Sequence, residues 1–76
     1  MTQIEFELEG SPHIELHQLL KVTGLCGSGG MAKNIIGAGE VRVDGQVETR
    51  KRGKIGPGQR VTFADTTITV VSSTSA

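Results

Sequence analysis

Two stretches of apolar residues at helical spacing, joined by a short glycine-rich connection, constrain the fold of this chain more than any other feature. In the first stretch Leu16, Leu19 and Leu20 recur at intervals of three and four residues, as on the buried side of a helix. In the second stretch Met31, Ala32, Ile35 and Ile36 have the same spacing, and we expect them to form the buried stripe of a second helix. Because only about five residues join the two predicted helices, the sequence predicts that they pack as an αα-hairpin.

Capping residues set the expected ends of both helices. Ser11 is a candidate N-cap and Pro12 suits the first helical position, so we expect the first helix at residues 12–23. For the second helix, Ser28 is the candidate N-cap and Gly39 the terminating residue. Gly24 is the candidate C-terminal cap of the first helix, so both helices have recognisable start and stop signals.

Segments typical of strands flank the predicted helices. Residues 3–8 alternate apolar side chains with Glu5 and Glu7, which indicates a half-buried strand with an acidic outer face. Four further short strands are predicted at residues 41–43, 47–49, 60–63 and 67–71. The order β-α-α-β-β-β-β predicts an α+β domain, in which the two helices pack on a small, mostly antiparallel sheet.

Two sequence signals disagree at the turn between the second and third predicted strands. Asp44-Gly45 is a strong signal for a two-residue hairpin turn. Such a turn would place Val47 on the opposite face of the sheet from Val43, because side chains alternate along a strand. We therefore expect a bulge or a longer turn at this point.

A single small domain accounts for the whole length. The chain has 76 residues, near the lower limit for a fold without disulfides or metals. We expect the domain at residues 1–71 and a frayed polar tail at residues 72–76. No apolar run approaches the about 20 residues that cross a bilayer, and the first residues do not resemble a signal peptide. We therefore expect a cytoplasmic protein without membrane contact.

The residues that could take part in catalysis or in metal or cofactor binding do not form a pattern typical of such a site. Cys26 is the only cysteine, so no internal disulfide forms, and a small buried side chain is favoured over a reactive thiol. His13 and His17 are four residues apart, but no third ligand has a suitable spacing, and two solvated histidines are favoured over a metal pair. Residues 27–32 fit a dinucleotide-binding glycine pattern but follow a helix instead of a strand. We expect no enzyme activity, cofactor or metal.

The cations are concentrated in one segment although the formal net charge is zero. Four of the eight Lys and Arg residues lie in residues 50–54, whereas residues 1–20 contain four glutamates and no Lys or Arg. Mutual repulsion opposes such a concentration, and phosphate is the commonest anion that compensates it. Considered alone, this basic segment is as consistent with a solvated surface loop as with a binding site.

Further cations could join the basic segment in one surface if the predicted hairpin packs beside the second helix. The predicted phosphate contacts are Lys33, Arg42, Arg50, Lys51, Arg52 and Lys54. At the start of the second helix, Ser28, Gly29 and Gly30 could add backbone N–H groups, although a tight corner explains them equally well. Lys21 and Arg60 are second-tier candidates.

The aromatic content bears on the kind of partner. The chain has no Trp or Tyr, and Phe6 and Phe63 lie on predicted strands as core candidates, so no platform for stacking single-stranded bases is expected. A nucleic-acid partner would then be structured RNA, recognised through phosphates and shape. The alternative is a protein-interaction module that docks an acidic partner, such as a ribosome-associated protein. In either case we expect a monomer.

A pattern of apolar, glycine and polar positions extends from residue 14 to residue 63. Its members are Leu16, Leu20, Gly24, Ser28, Ala32, Ile35, Ile36, Gly39, Val41, Val43, Asp44, Gly45, Gly58, Gln59 and Val61. In this pattern the chain resembles the RNA-binding domain named after ribosomal small-subunit protein four. Ala32-Lys33, Val43-Asp44-Gly45 and residues 48–55 are similar to its small stand-alone YbcJ-like branch.

The resemblance implies a motif core at residues 14–63 and RNA binding by the two helices with the adjoining loop. Ribosomal RNA or another folded RNA is the implied target. Gly29 occupies the position where many members carry an Arg that contacts RNA. We therefore expect the basic segment to bear more of the RNA contact here than the family pattern suggests.

Overall fold

The computed structural model describes residues 2–72 and shows two helices packed on a five-stranded sheet, beside a short two-stranded ladder. The elements are β1 (Thr2–Glu7), β2 (Ile14–Glu15), α1 (Leu16–Val22), α2 (Gly29–Gly37), β3 (Val41–Val43), β4 (Gln46–Val47), β5 (Lys54–Ile55), β6 (Arg60–Phe63) and β7 (Thr66–Val71). The predicted α+β fold is confirmed. Of the predicted tail, only Ser72 lies within the described residues.

The five-stranded sheet has the order β1-β7-β6-β3-β4. Only the β1–β7 pair is parallel, and the β7–β6, β6–β3 and β3–β4 pairs are antiparallel. The sheet is therefore mixed and mostly antiparallel, as predicted. Within residues 2–72, neither helix is long and apolar enough to cross a membrane.

The core lies between the two helices and one face of the sheet. Its fully buried large side chains are Leu16, Leu19, Leu20, Ile36, Val41, Ile55, Val61, Ile68 and Val70. On α2 the buried stripe is narrower than predicted: Ala32 and Ile36 are buried and Ile35 partly so, but Met31 is 50% exposed. Met31 was predicted to be buried, and this is wrong. α2 covers the core with one side only, and Met31 lies beyond the edge of that side.

α1 begins four residues later than predicted. Its N-cap is Glu15, in extended backbone and without a capping hydrogen bond from its side chain. Ser11 and Pro12 instead lie exposed in the connection between β1 and β2. Ser11 is therefore not the N-cap of this helix, and Pro12 is not its first residue.

Backbone N–H groups in the first turn of α1 donate hydrogen bonds to the basic segment, which is distant in sequence. The N–H of Leu16 donates to the carbonyl of Gly53 at 2.9 Å, and the N–H of His17 donates to the carbonyl of Lys51 at 3.1 Å. Immediately before the helix, β2 pairs antiparallel with β5. These bonds supply acceptors for N–H groups that would otherwise lack a partner, so no local capping residue is needed.

The hairpin between β3 and β4 closes with the two-residue turn that its sequence favours. Asp44 and Gly45 have φ values of 53° and 83°, and a tight turn of this type needs two positive values. Val43 pairs with Gln46, so Val47 faces away from the core and is 54% exposed. The expected bulge or longer turn is therefore wrong. β4 is an edge strand, and it does not need to bury Val47.

Candidate nucleic-acid interface

An open cleft of about 840 Å³ lies between α2, the β3–β4 hairpin and the basic segment. We call it the basic cleft, and its lining residues are Lys33, Gly37, Val43, Gln59 and residues 48–55. The lining includes five of the six predicted phosphate contacts, from two separate parts of the chain. Lys33 and Arg52 therefore lie on one surface, as the sequence predicts.

The backbone of the basic segment is anchored, while its charged side chains face solvent. The N–H of Gly53 donates to the carbonyl of Arg50 at 3.0 Å, which closes a tight turn. A Cβ on Gly53 would lie 3.2 Å from that carbonyl oxygen, so the turn leaves little room for a side chain there. The carbonyls of Lys51 and Gly53 accept hydrogen bonds from α1, whereas the side chains of Lys51 and Arg52 are exposed. The backbone that carries these cations is thus held in place before any ligand binds.

Glu48 is the one acidic residue in the lining of the basic cleft, and it pairs with Arg50. Its carboxylate accepts hydrogen bonds from the Arg50 backbone N–H at 3.1 Å and from Arg50 Nε at 3.2 Å. These bonds, the backbone one first, hold the pKa of the Glu48 carboxyl below its usual range. Arg50 is therefore partly neutralised, although its side chain is 83% exposed.

The other four cations of the basic cleft are exposed and make no ion pair within residues 2–72. They are Lys33, Lys51, Arg52 and Lys54. Exposed, unpaired cations on a concave surface concentrate positive potential and attract anionic ligands. The cleft can therefore bind several phosphate groups at once.

The start of α2 has the predicted cap. The Ser28 hydroxyl accepts a hydrogen bond from the Met31 N–H at 3.2 Å. Gly29 and Gly30 are the first helical residues, and their N–H groups have no acceptor within the described part of the chain. Whether these groups contact RNA stays a prediction.

One side of α2 connects this start to the basic cleft. Gly29, Lys33 and Gly37 are four residues apart and therefore lie on one face of the helix. Lys33 and Gly37 line the cleft, and Gly29 continues the row by one turn. No heavy atom lies within 4 Å of a Cβ placed on Gly29. The position where the resemblance implies an Arg in many members thus has room for one beside Lys33.

Arg42, Arg60 and Lys21 do not line the basic cleft. Side chains alternate along a strand, so Arg42 points away from the side that carries Val43. The sheet surface away from the helices, here called the open face, carries Gln3, Glu5, Arg42, Arg60, Thr62, Thr67 and Thr69. The predicted single surface therefore excludes Arg42. The part these three cations have in binding stays a prediction.

The remaining candidate residues include His17 and Cys26, and their contacts and burial give each a structural role. His17 is not solvated as predicted: its side chain is 15% exposed and its Nε2 lies 2.9 Å from Glu15 Oε1. Cys26 is buried as predicted, and burial raises the pKa of its thiol. Among residues 2–72, no three His, Cys, Asp or Glu side chains form a possible metal-binding group.

Seven residues of the cleft lining were not recognised as site residues from the sequence: Gly37, Val43, Glu48, Thr49, Gly53, Ile55 and Gln59. Gly37 and Val43 are apolar, and Gln59 lies in the turn before β6. The four-residue spacing between Lys33 and Gly37 was the one available signal. Gln59 is held by contacts distant in sequence, because its Nε2 donates to Asp44 Oδ2 at 3.3 Å.

The chain belongs to the S4 domain family, whose model matches residues 6–71. The proteins named YbcJ of Escherichia coli K12 and of Shigella flexneri are each 52% identical to the chain over 67 residues. This alignment covers 88% of the chain and 96% of each relative. The predicted similarity to the YbcJ-like branch is confirmed.

A solved structure extends the similarity to three dimensions. The solution structure of Escherichia coli YbcJ matches with a TM-score of 0.72 and 49% identity. The match covers 93% of this chain and 90% of that chain. That structure is described as revealing an ALFAL motif involved in RNA-binding.

Proposed function

We propose that the protein is a non-catalytic RNA-binding module that recognises folded RNA through backbone phosphates and shape. The observation that carries this proposal is the basic cleft, which brings together five cations from two parts of the chain. Four of them make no ion pair within the described residues. Membership of the S4 domain family and the RNA-binding motif described for YbcJ support the same function.

The chemistry of the surface favours phosphates over stacked bases. The chain has no Trp or Tyr, and both Phe6 and Phe63 are partly buried against the core. Without an exposed aromatic platform, a single strand would gain little from stacking. Folded RNA presents closely spaced phosphates that the anchored cations can meet together. We propose ribosomal RNA as the target, a monomeric protein and a cytoplasmic location.

The salt dependence of binding tests this function. For wild-type protein and a folded ribosomal RNA fragment, four phosphate contacts predict that log K falls against log salt with a slope near −3, at about −0.7 to −0.9 per contact. Fluorescence anisotropy at several salt concentrations measures the slope. The Gly29→Arg variant should add one contact and steepen it by about 0.8, and Gly29→Ala should not.

Two results would contradict the proposal. One is a wild-type affinity that does not change with salt. The other is displacement of the RNA by an acidic polypeptide at matched charge concentration, since this would favour docking of an acidic, ribosome-associated protein. Folded RNA should resist that competitor, because its phosphates are already ordered whereas a flexible polypeptide must be ordered on binding.

A further inference from the structure

The basic cleft has two chemically different parts. The cations lie in the basic segment and on α2, whereas Gly37, Val43 and Ile55 add apolar surface to the lining. Exposed cations on a convex surface would be sufficient to contact phosphates along a duplex. A concave site with apolar surface is instead typical of sites that enclose a compact ligand, and its volume of about 840 Å³ is in the usual range for them.

Gly37 leaves one wall of the cleft open. It is an exposed residue at the end of α2, and no heavy atom lies within 4 Å of a Cβ placed on it. The helix backbone is therefore accessible at this position, and a flat group could lie against it. Val43 is partly buried and Ile55 is 2% exposed, so the apolar surface beside it is fixed by the core.

Gln59 adds a polar group whose orientation is fixed. Its Oε1 accepts a hydrogen bond from the Gly56 N–H at 2.7 Å, and its Nε2 donates to Asp44 at 3.3 Å. A side-chain amide has two N–H hydrogens and two acceptor lone pairs, so one of each remains available. Such a group can pair with the hydrogen-bonding edge of a nucleobase.

We propose that the basic cleft binds one unpaired nucleotide of the folded RNA. Its phosphate contacts Lys51 and Arg52, and its base lies against Gly37 and Val43 within reach of the Gln59 amide. A base inside a duplex cannot enter a concave site, whereas a bulged or looped-out base can. This inference rests on the proposed function, and it adds a preference for RNA with an unpaired nucleotide next to a helix.

Two matched RNA hairpins test the inference. One carries a single bulged nucleotide, a fluorescent adenine analogue, and the other has the same stem fully paired. Wild-type protein should bind the bulged hairpin about tenfold more tightly, and the emission of the analogue should change on binding. Gly37→Leu fills the cleft without a change in charge, so it should remove the preference for the bulged hairpin. Ala38→Leu, on the adjacent exposed residue outside the lining, should keep the preference.

The outcomes separate the inference from the proposed function. If wild-type protein binds both hairpins equally and the emission stays constant, the unpaired-nucleotide site is wrong while RNA binding stands. If wild-type protein binds neither hairpin, both are wrong. The emission change requires no variant, so it decides the question even if Gly37→Leu does not fold.

Discussion

Replacing Lys51 and Arg52 together by alanine is expected to weaken the binding of folded RNA about 20-fold at about 0.15 M salt. Both side chains are exposed, line the basic cleft and make no ion pair within the described residues, so their loss removes phosphate contacts without breaking an internal one. The slope of log K against log salt should become shallower by about 1.6, from two contacts. Fluorescence anisotropy with a folded ribosomal RNA fragment measures both quantities.

A matched variant on the other side of the sheet controls for net charge. Arg42→Ala/Arg60→Ala removes the same two positive charges, but from the open face. Because exposed charges far from the ligand are screened by salt, its loss of affinity should stay below about threefold. Equal losses in the two double variants would mean that binding depends on overall charge and not on the basic cleft.

Replacing Leu16 by alanine is expected to lower the free energy of unfolding by about 2–5 kcal/mol, the usual range for a buried leucine. Leu16 is fully buried, and its N–H holds the carbonyl of Gly53 at the position where α1 meets the basic segment. Small domains have net stabilities of about 5–15 kcal/mol, so this loss would remove a large part of the stability of the protein. Urea denaturation followed by circular dichroism measures it.

Val22 provides the control on the same helix. It is also apolar but is 58% exposed, so Val22→Ala removes little buried surface. We expect its cost to stay below about 1 kcal/mol. A cost for Leu16→Ala as small as that of Val22→Ala would contradict the core arrangement described above.

The sequence predicts those elements of the fold that are determined by residues close together in the chain. Alternation in residues 3–8 predicts β1 to within one residue, helical spacing predicts α2, and Ser28 caps α2 as its sequence indicates. α1 shows where this approach fails. Its start is set by acceptors about 35 residues further along the chain, and no capping rule detects a pairing at that distance. The β2–β5 ladder was missed for the same reason, because two-residue strands carry almost no periodic signal.

The candidate site was predictable in its charges but not in its shape. The basic segment is visible as a run of cations, and Lys33 can be placed on the exposed side of a helix by its spacing. The exclusion of Arg42 depends on which side of β3 faces the helices, and the inclusion of Gln59 depends on a contact with Asp44. Both depend on tertiary contacts, which cannot be deduced from the pattern of residues along the sequence.

Amide chemical shifts of isotope-labelled protein, recorded by NMR during titration with a folded ribosomal RNA fragment, test the central claim most directly. The account predicts saturable changes centred on Lys33, Gly37 and residues 50–54, with small changes on the open face of the sheet. Changes centred on the open face, at Arg42, Thr62 and Thr67, would contradict it. So would the absence of any saturable change at about 0.15 M salt.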